Sequence, residues 1–153
     1  VVQAEFPAIP IDADFDISLP DIEADAEQLV QAVLNVVRNA AQALTGTTAD
    51  PRIVLTTRVA RYVTLARRRH RLALSIAIAD NGPGIPPAIR DRIFYPLVSG
   101  REGGSGLGLT IAQTFVAQHS GTIECDSEPG RTVFRILLPV DLPRAAPTAA
   151  DAP

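Results

Sequence analysis

A chain of 153 residues, 46% apolar and 20% charged, has the size and balance of one globular domain able to bury a core. All 14 basic residues are Arg, yet the net charge is −3, so the basic surplus of a duplex-binding face is missing and nucleic acid is excluded as a partner. The single cysteine, Cys125, cannot close an internal disulfide, and no apolar run approaches the ~18 residues of a membrane span.

A reducing compartment, by default the cytoplasm, is therefore expected. No basic start followed by a short apolar segment marks a signal peptide. The chain begins at Val1 and contains no Met, which reads as a piece of a longer protein.

The first 14 residues read as a partly ordered segment. The alternation Phe15-Asp16-Ile17-Ser18-Leu19 predicts a strand that reads as a sheet edge. Asp25 followed by Gln28 forms a capping box, and Ala26, Leu29, Val30, Val33, Val37, Ala40, Ala41 and Leu44 recur at helical steps, so an amphipathic helix runs from Asp25 to a stop before Gly46. Residues 52–65 and 72–79 predict two strands of a hairpin whose tip, Arg67-Arg68-Arg69-His70-Arg71, carries four arginines. That tip is either a solvated turn or a docking surface for an acidic partner.

A long Gly- and Pro-rich connection follows, interrupted by a short helical patch at 87–94. A second helix is expected over 106–119 with Gly121 as its stop, then two strands, 122–126 and 132–138, around the turn Glu128-Pro129-Gly130-Arg131. Cys125 alternates with apolar neighbours and reads as a small buried residue. Residues 140–153 form an Ala/Pro-rich tail that reads as disordered.

Three clusters carry chemistry. Asn35 and Asn39, four residues apart, lie about 40° from each other around the helix axis. A carboxamide oxygen can bind a hard cation and its NH2 can donate to phosphate, although the pair also suits a plain solvated face. Asp80-Asn81-Gly82-Pro83-Gly84 closes an apolar strand with a carboxylate able to accept from an exocyclic amine, or is simply a tight turn. Gly103-Gly104-Ser105-Gly106-Leu107-Gly108 leads into a helix, where uncrowded backbone N–H groups cradle anions unless the segment is only a flexible linker.

Their order is more telling than any one of them. Asn-Val-Val-Arg-Asn-Ala, then Asp-Asn-Gly-Pro-Gly-Ile, then Ile93-Phe94-Tyr95-Pro96, then Gly-Gly-Ser-Gly-Leu-Gly-Leu resembles the N, G1, F and G2 boxes of histidine kinase catalytic domains across roughly residues 15–139. The segment from Phe94 to Gly104 and Gln118-His119-Ser120-Gly121 are most similar to the nitrogen-regulation sensor kinases. The resemblance implies a Bergerat-type α/β two-layer sandwich, with a mixed sheet of about five strands packed on about three helices and Mg-ATP held between the layers.

It further implies Asn39 as a Mg²⁺ ligand, Asn35 as a phosphate neighbour and Asp80 as acceptor of the adenine amine. Gly82 and Gly84 become turn formers near the base, and Gly104, Gly106, Leu107 and Gly108 a phosphate cradle. Phe94 becomes the anchor of a lid, and Gly130 and Thr132 lie near the adenine.

Two departures carry meaning. Many family members have Lys three residues after the Mg-binding Asn, where this chain has Gln42, so Arg101 in the lid is expected to supply the cation. The related ATPases place a general-base Glu where this chain has Asn35. The expected activity is thus phosphoryl transfer to a histidine on a dimerisation domain outside these residues, with slow ATP hydrolysis. A response regulator and a PII-like signal protein are the other implied partners. His119 reads as structural and His70 as surface. The alternatives are an ATPase, a serine kinase or anti-sigma factor of the same superfamily, or a non-catalytic module docking a PII-like protein.

Overall fold

The computed structural model describes residues 1–99 and 105–140. A short helix α1 (Val2–Glu5) precedes strand β1 (Ile11–Phe15), the long helix α2 (Ala26–Leu44) and the hairpin β2 (Ile53–Leu65) and β3 (Arg68–Asp80). A 3-10 turn at Arg90–Arg92 leads to helix α3 (Gly108–Gln118), and the hairpin β4 (Thr122–Glu128) and β5 (Arg131–Pro139) ends the fold. The strands form one mixed sheet in the order β1-β2-β3-β5-β4; β1 and β2 run parallel and all other pairs antiparallel. The expected two-layer α/β architecture with five strands is what the chain adopts.

Alternation sets the two faces of the sheet. Ile53, Ile78, Phe134, Ile136, Leu138 and Ile123 turn toward the helices and pack with Val36, Val37, Ala40 and Leu44 of α2 and Ala112 and Val116 of α3. Val2 and Ile9 add the N-terminal segment to the same core. Half of the expected capping box is present at the start of α2: the Asp25 side chain accepts from the Gln28 N–H at 3.1 Å, whereas the Asp25 N–H donates to His119 Nε2 instead of to the Gln28 side chain.

Three expectations need correction. The strand expected at 15–19 lies four residues earlier. Ile11-Asp12-Ala13-Asp14-Phe15 alternates equally well, and Asp16 ends the run by accepting from the Ser18 N–H and hydroxyl at 2.9 and 2.6 Å. The arginine tip is not a five-residue turn: Arg68, Arg69, His70 and Arg71 belong to β3, and the turn is Ala66-Arg67 alone, both at positive φ as a two-residue hairpin turn of matching twist requires. His70, read as surface, is half-buried and pairs with Val63.

Past Tyr62, at φ +54°, the hairpin departs from simple alternation. It brings Leu65 and Val63 against Ala73 and Leu137 on the sheet's far face. The third correction narrows the helical patch expected at 87–94 to a 3-10 helix at Arg90–Arg92 flanked by turns, held by bonds from Ile89 to Pro86, Arg92 to Ile89 and Tyr95 to Arg92. The tail expected to be disordered lies outside the described residues beyond Val140, which is itself buried and donates to the Leu72 carbonyl.

Candidate functional site

The polar stripe of α2 runs from exposed Gln31 through buried Asn35 and half-buried Arg38 and Asn39 to exposed Gln42. Gln31, Asn35, Arg38, Asn39 and Gln42 line a cavity of about 910 Å³, closed on the other sides by the loop after β3 and the start of α3. A hollow of this size suits a drug- or cofactor-sized ligand. Asn35 is only 8% exposed, and both ends of its amide are engaged. Its Nδ2 donates to the Gly108 carbonyl at 3.2 Å, and its Oδ1 accepts from Gln31 Nε2 at 2.8 Å. One helix amide thereby fixes the start of the other helix.

Asp80 ends β3 directly opposite Thr132 of β5, so the sheet register sets the two polar side chains side by side at the floor of the cavity. They are 7% and 4% exposed, the most buried polar pair of the described chain after the core is set aside. Asp80 Oδ1 accepts from the Gly82 N–H at 2.9 Å, and its other oxygen has no partner among the described residues. Burial pushes the carboxyl above the ordinary aspartate range, with the Gly82 N–H opposing the rise. A buried carboxylate aimed into a cavity is matched to a donor brought by a ligand.

The loop after Asp80 is pinned to the last hairpin. The Gly130 N–H donates to the Gly82 carbonyl at 2.8 Å, and the Ile85 N–H to Ser127 Oγ at 2.8 Å, with Ser127 Oγ 2.8 Å from Thr132 Oγ1. Gly84 lies at φ +86°, and a Cβ there would fall 2.8 Å from the Glu128 carbonyl oxygen, so only glycine lets the two turns touch. Ser127 escaped the sequence reading; its signal was its position directly across the hairpin from Thr132.

At the other end, α3 begins at Gly108 with no side-chain cap, so its first N–H groups open on the cavity beside Ser105, Gly106 and Leu107. Gly106 has φ +68° and accepts from the Leu97 N–H at 3.0 Å. Its Cβ would fall 2.6 Å from the Leu97 carbonyl carbon. Phe94 does not line the cavity but braces its rim. Its ring meets Phe134 edge to face at 6.3 Å, and its carbonyl accepts from Thr110 Oγ1 at 2.9 Å.

Of the residues singled out in the sequence, Asn35, Asn39, Asp80, Gly84, Gly106, Leu107, Gly108 and Thr132 meet around this one hollow. Gly82 and Gly130 sit just behind it. Arg101 and Gly104 lie outside the described residues. The reading missed Gln31 and Arg38, together with apolar walls from Ile85, Ile89 and Ile93. Cys125 is half-buried, and burial pushes its thiol up to about 12, as suits a packing residue rather than a nucleophile.

The sequence profile of the Histidine kinase-, DNA gyrase B-, and HSP90-like ATPase family matches residues 24–142. The chain is 53% identical over 127 residues, 83% of its length, to the Sensory histidine kinase/phosphatase NtrB of Escherichia coli O157:H7, and spans only 36% of that relative. Among solved structures it resembles the mycobacterial sensor histidine kinase MprB (TM-score 0.70, 28% identity, 91% of this chain and 87% of that one). It also resembles full-length ShkA in complex with AMPPNP (TM-score 0.72, 28% identity, 95% of this chain and 29% of that one).

Proposed function

Because the chain belongs to the histidine kinase-, DNA gyrase B- and HSP90-like ATPase family, we propose that it is the Mg-ATP-binding catalytic domain of a sensor histidine kinase of the nitrogen-regulation type. The observation that carries this reading is the convergence of Asn39, Asp80 and the Gly106-Leu107-Gly108 helix start on one cavity. The dimensions suit an adenine at the Asp80 and Thr132 end and phosphates at the uncapped end of α3.

Asp80 accepts the exocyclic amine, Thr132 lies beside it, and Gly82 and Gly84 shape the turn against the base. The N–H groups at Gly106, Leu107 and Gly108 receive phosphate oxygens. Asn35, already bonded to Gly108, holds that cradle at a fixed height above α2.

No group of three or more His, Cys, Asp or Glu that could hold a metal exists among the described residues. Mg²⁺ suits this donor set nevertheless, since it takes one or two protein oxygens and draws its remaining ligands from phosphates and water. Asn39 is the residue that would supply the carboxamide oxygen. When bound, the ion neutralises charge on the transferring phosphoryl group.

The reaction is transfer of the γ-phosphoryl to a histidine on a dimerisation domain, with a response regulator as the downstream acceptor. Hydrolysis is disfavoured because Asn35 stands where the related ATPases carry a general base, and an amide cannot take a proton from water. A PII-like protein is a further partner of this reading, and the arginines of the β2–β3 hairpin are the surface offered to it. Among the described residues no helix is long and apolar enough to cross a membrane.

Calorimetric titration tests the assignment. Mg-ATP or Mg-ADP binds the wild-type chain, and Asn39→Ala or Asp80→Ala removes the heat of binding while far-UV circular dichroism stays native. Unchanged affinity in both variants overturns the assignment.

A further inference from the structure

Arg38 is the only cation, and Asp80 the only anion, among the described residues lining the cavity. It occupies the stripe of α2 that carries Asn35 one turn before it and Gln42 one turn after, next in sequence to Asn39. Its guanidinium is nonetheless held by another group. Nε and Nη2 donate to Oε2 and Oε1 of Glu5, both at 3.0 Å, a two-pronged pair.

Glu5 is the last residue of α1, which lies before the region matched by the family profile and is fixed by Val2 and Ile9 in the core and by Gln3 bonds to the Phe6 and Ile9 carbonyls. The pair is accessible, with side chains 32% and 42% exposed for Arg38 and Glu5. Water therefore competes with it, and so can a stronger anion. The guanidinium fork fits a carboxylate and a phosphate with the same geometry, and a nucleotide polyphosphate brings more charge than one carboxylate.

From this arrangement we propose that Arg38 is a phosphate-contacting residue of the nucleotide site and that Glu5 is a built-in competitor for it. The docking of α1 then lowers nucleotide affinity by occupying the cation. This rests on the Mg-ATP reading above and gives the site a control that the family motifs do not contain. Arg38 takes the part that Gln42 leaves unfilled, without the lid. Coupling is reciprocal: whatever lifts α1 from α2 strengthens nucleotide binding, and bound nucleotide loosens α1.

Calorimetry with Mg-ATP on the full chain, comparing wild type with Glu5→Gln, Arg38→Ala and the double variant, tests the competition. Glu5→Gln tightens binding about fivefold or more, Arg38→Ala weakens it about tenfold or more, and in the double variant the Glu5→Gln gain is absent. Arg38→Gln serves in place of Arg38→Ala if the latter melts early. Hydrogen exchange gives an independent readout, since the Phe6 amide, bonded to the Val2 carbonyl at 2.9 Å, exchanges faster when Mg-ATP is present.

An unchanged or weaker affinity in Glu5→Gln overturns the proposal. So does a gain that survives loss of Arg38, because that marks a long-range charge effect. If wild type binds nucleotide and the variants match it, only this inference falls; if wild type binds no nucleotide, the functional reading falls with it.

Discussion

At Asp80 two requirements oppose each other. The carboxylate must be ionised to accept strongly from a ligand amine, yet burial raises its pKa in the folded chain. A raised folded value means that its stabilising contribution is complete below the unfolded value of about 3.9 and is lost as pH rises through the folded value. At neutral pH the empty domain therefore carries a cost at this position. Asp80→Asn keeps an oxygen for the Gly82 N–H and removes that cost, so its melting temperature matches or exceeds wild type while nucleotide affinity collapses.

The same shift makes nucleotide affinity fall on acidification at a pH above that of an ordinary aspartate, which a pH series of the titration measures. Gly106→Ala is expected to act on the site as well. Its Cβ meets the Leu97 backbone at a positive φ, so the phosphate loop shifts and affinity drops, whereas Gly130→Ala meets nothing within 4 Å and costs only the left-handed backbone penalty of about 1–2 kcal/mol.

Individual residues were legible in the sequence wherever chemistry and spacing coincided. Asp80, Asn39 and Gly106 announce themselves by type and order. Arg38 and Ser127 do not, because an arginine on a helix and a serine in a hairpin have many uses, and only the register and the cavity wall select one.

Among the elements, α2 is the one that the sequence specifies almost to the residue, through its cap, its apolar stripe and the glycine beyond its end. Its first turn is tied to the last turn of α3 by His119, whose Nδ1 donates to the Phe115 carbonyl at 2.8 Å while Nε2 accepts from the Asp25 N–H at 2.9 Å. One imidazole thus locks the two helices into a single layer, in keeping with its structural reading. Asp25→Ala and His119→Ala each cost about 1 kcal/mol. Their melting shifts are about 2–4 °C each for a chain of this length, and because Asp25→Ala keeps the backbone N–H that His119 accepts, a double-mutant cycle shows them close to additive. Nucleotide affinity stays at the wild-type value in both.

The strands were harder to place than the helix. Two overlapping windows of alternation compete for β1, and the choice falls to Asp16, whose bonds to Ser18 break the later one. At the hairpin, non-glycine residues at positive φ carry the turn, and no composition rule marks them. The arginines that seemed to belong to a loop are strand residues, and the segment from Asp50 to Asp80 contains no acidic residue between its ends.

Across the whole molecule, sheet register and helix phase do the work of assembly. Asp80 and Thr132 meet because β3 and β5 pair in that register, and Asn35 reaches Gly108 because α2 presents its polar stripe to the start of α3. Among the described residues, the result is a site with one cation, one carboxylate and an uncapped helix start, and with an amide, Asn35, in place of a base. Steady-state turnover of ATP by the chain alone therefore stays below about 1 s⁻¹, the low end for enzymes. Rapid hydrolysis points instead to an ATPase.

The shared hollow itself is tested most directly by amide chemical shifts of the isotope-labelled chain during titration with Mg-ADP. Perturbations concentrated at Gly82, Gly84, Gly106, Gly108 and Asn39, saturating together, are the predicted result. Shifts confined to the β2–β3 hairpin, or absent from either the Gly82 loop or the Gly106 loop at saturation, would contradict it.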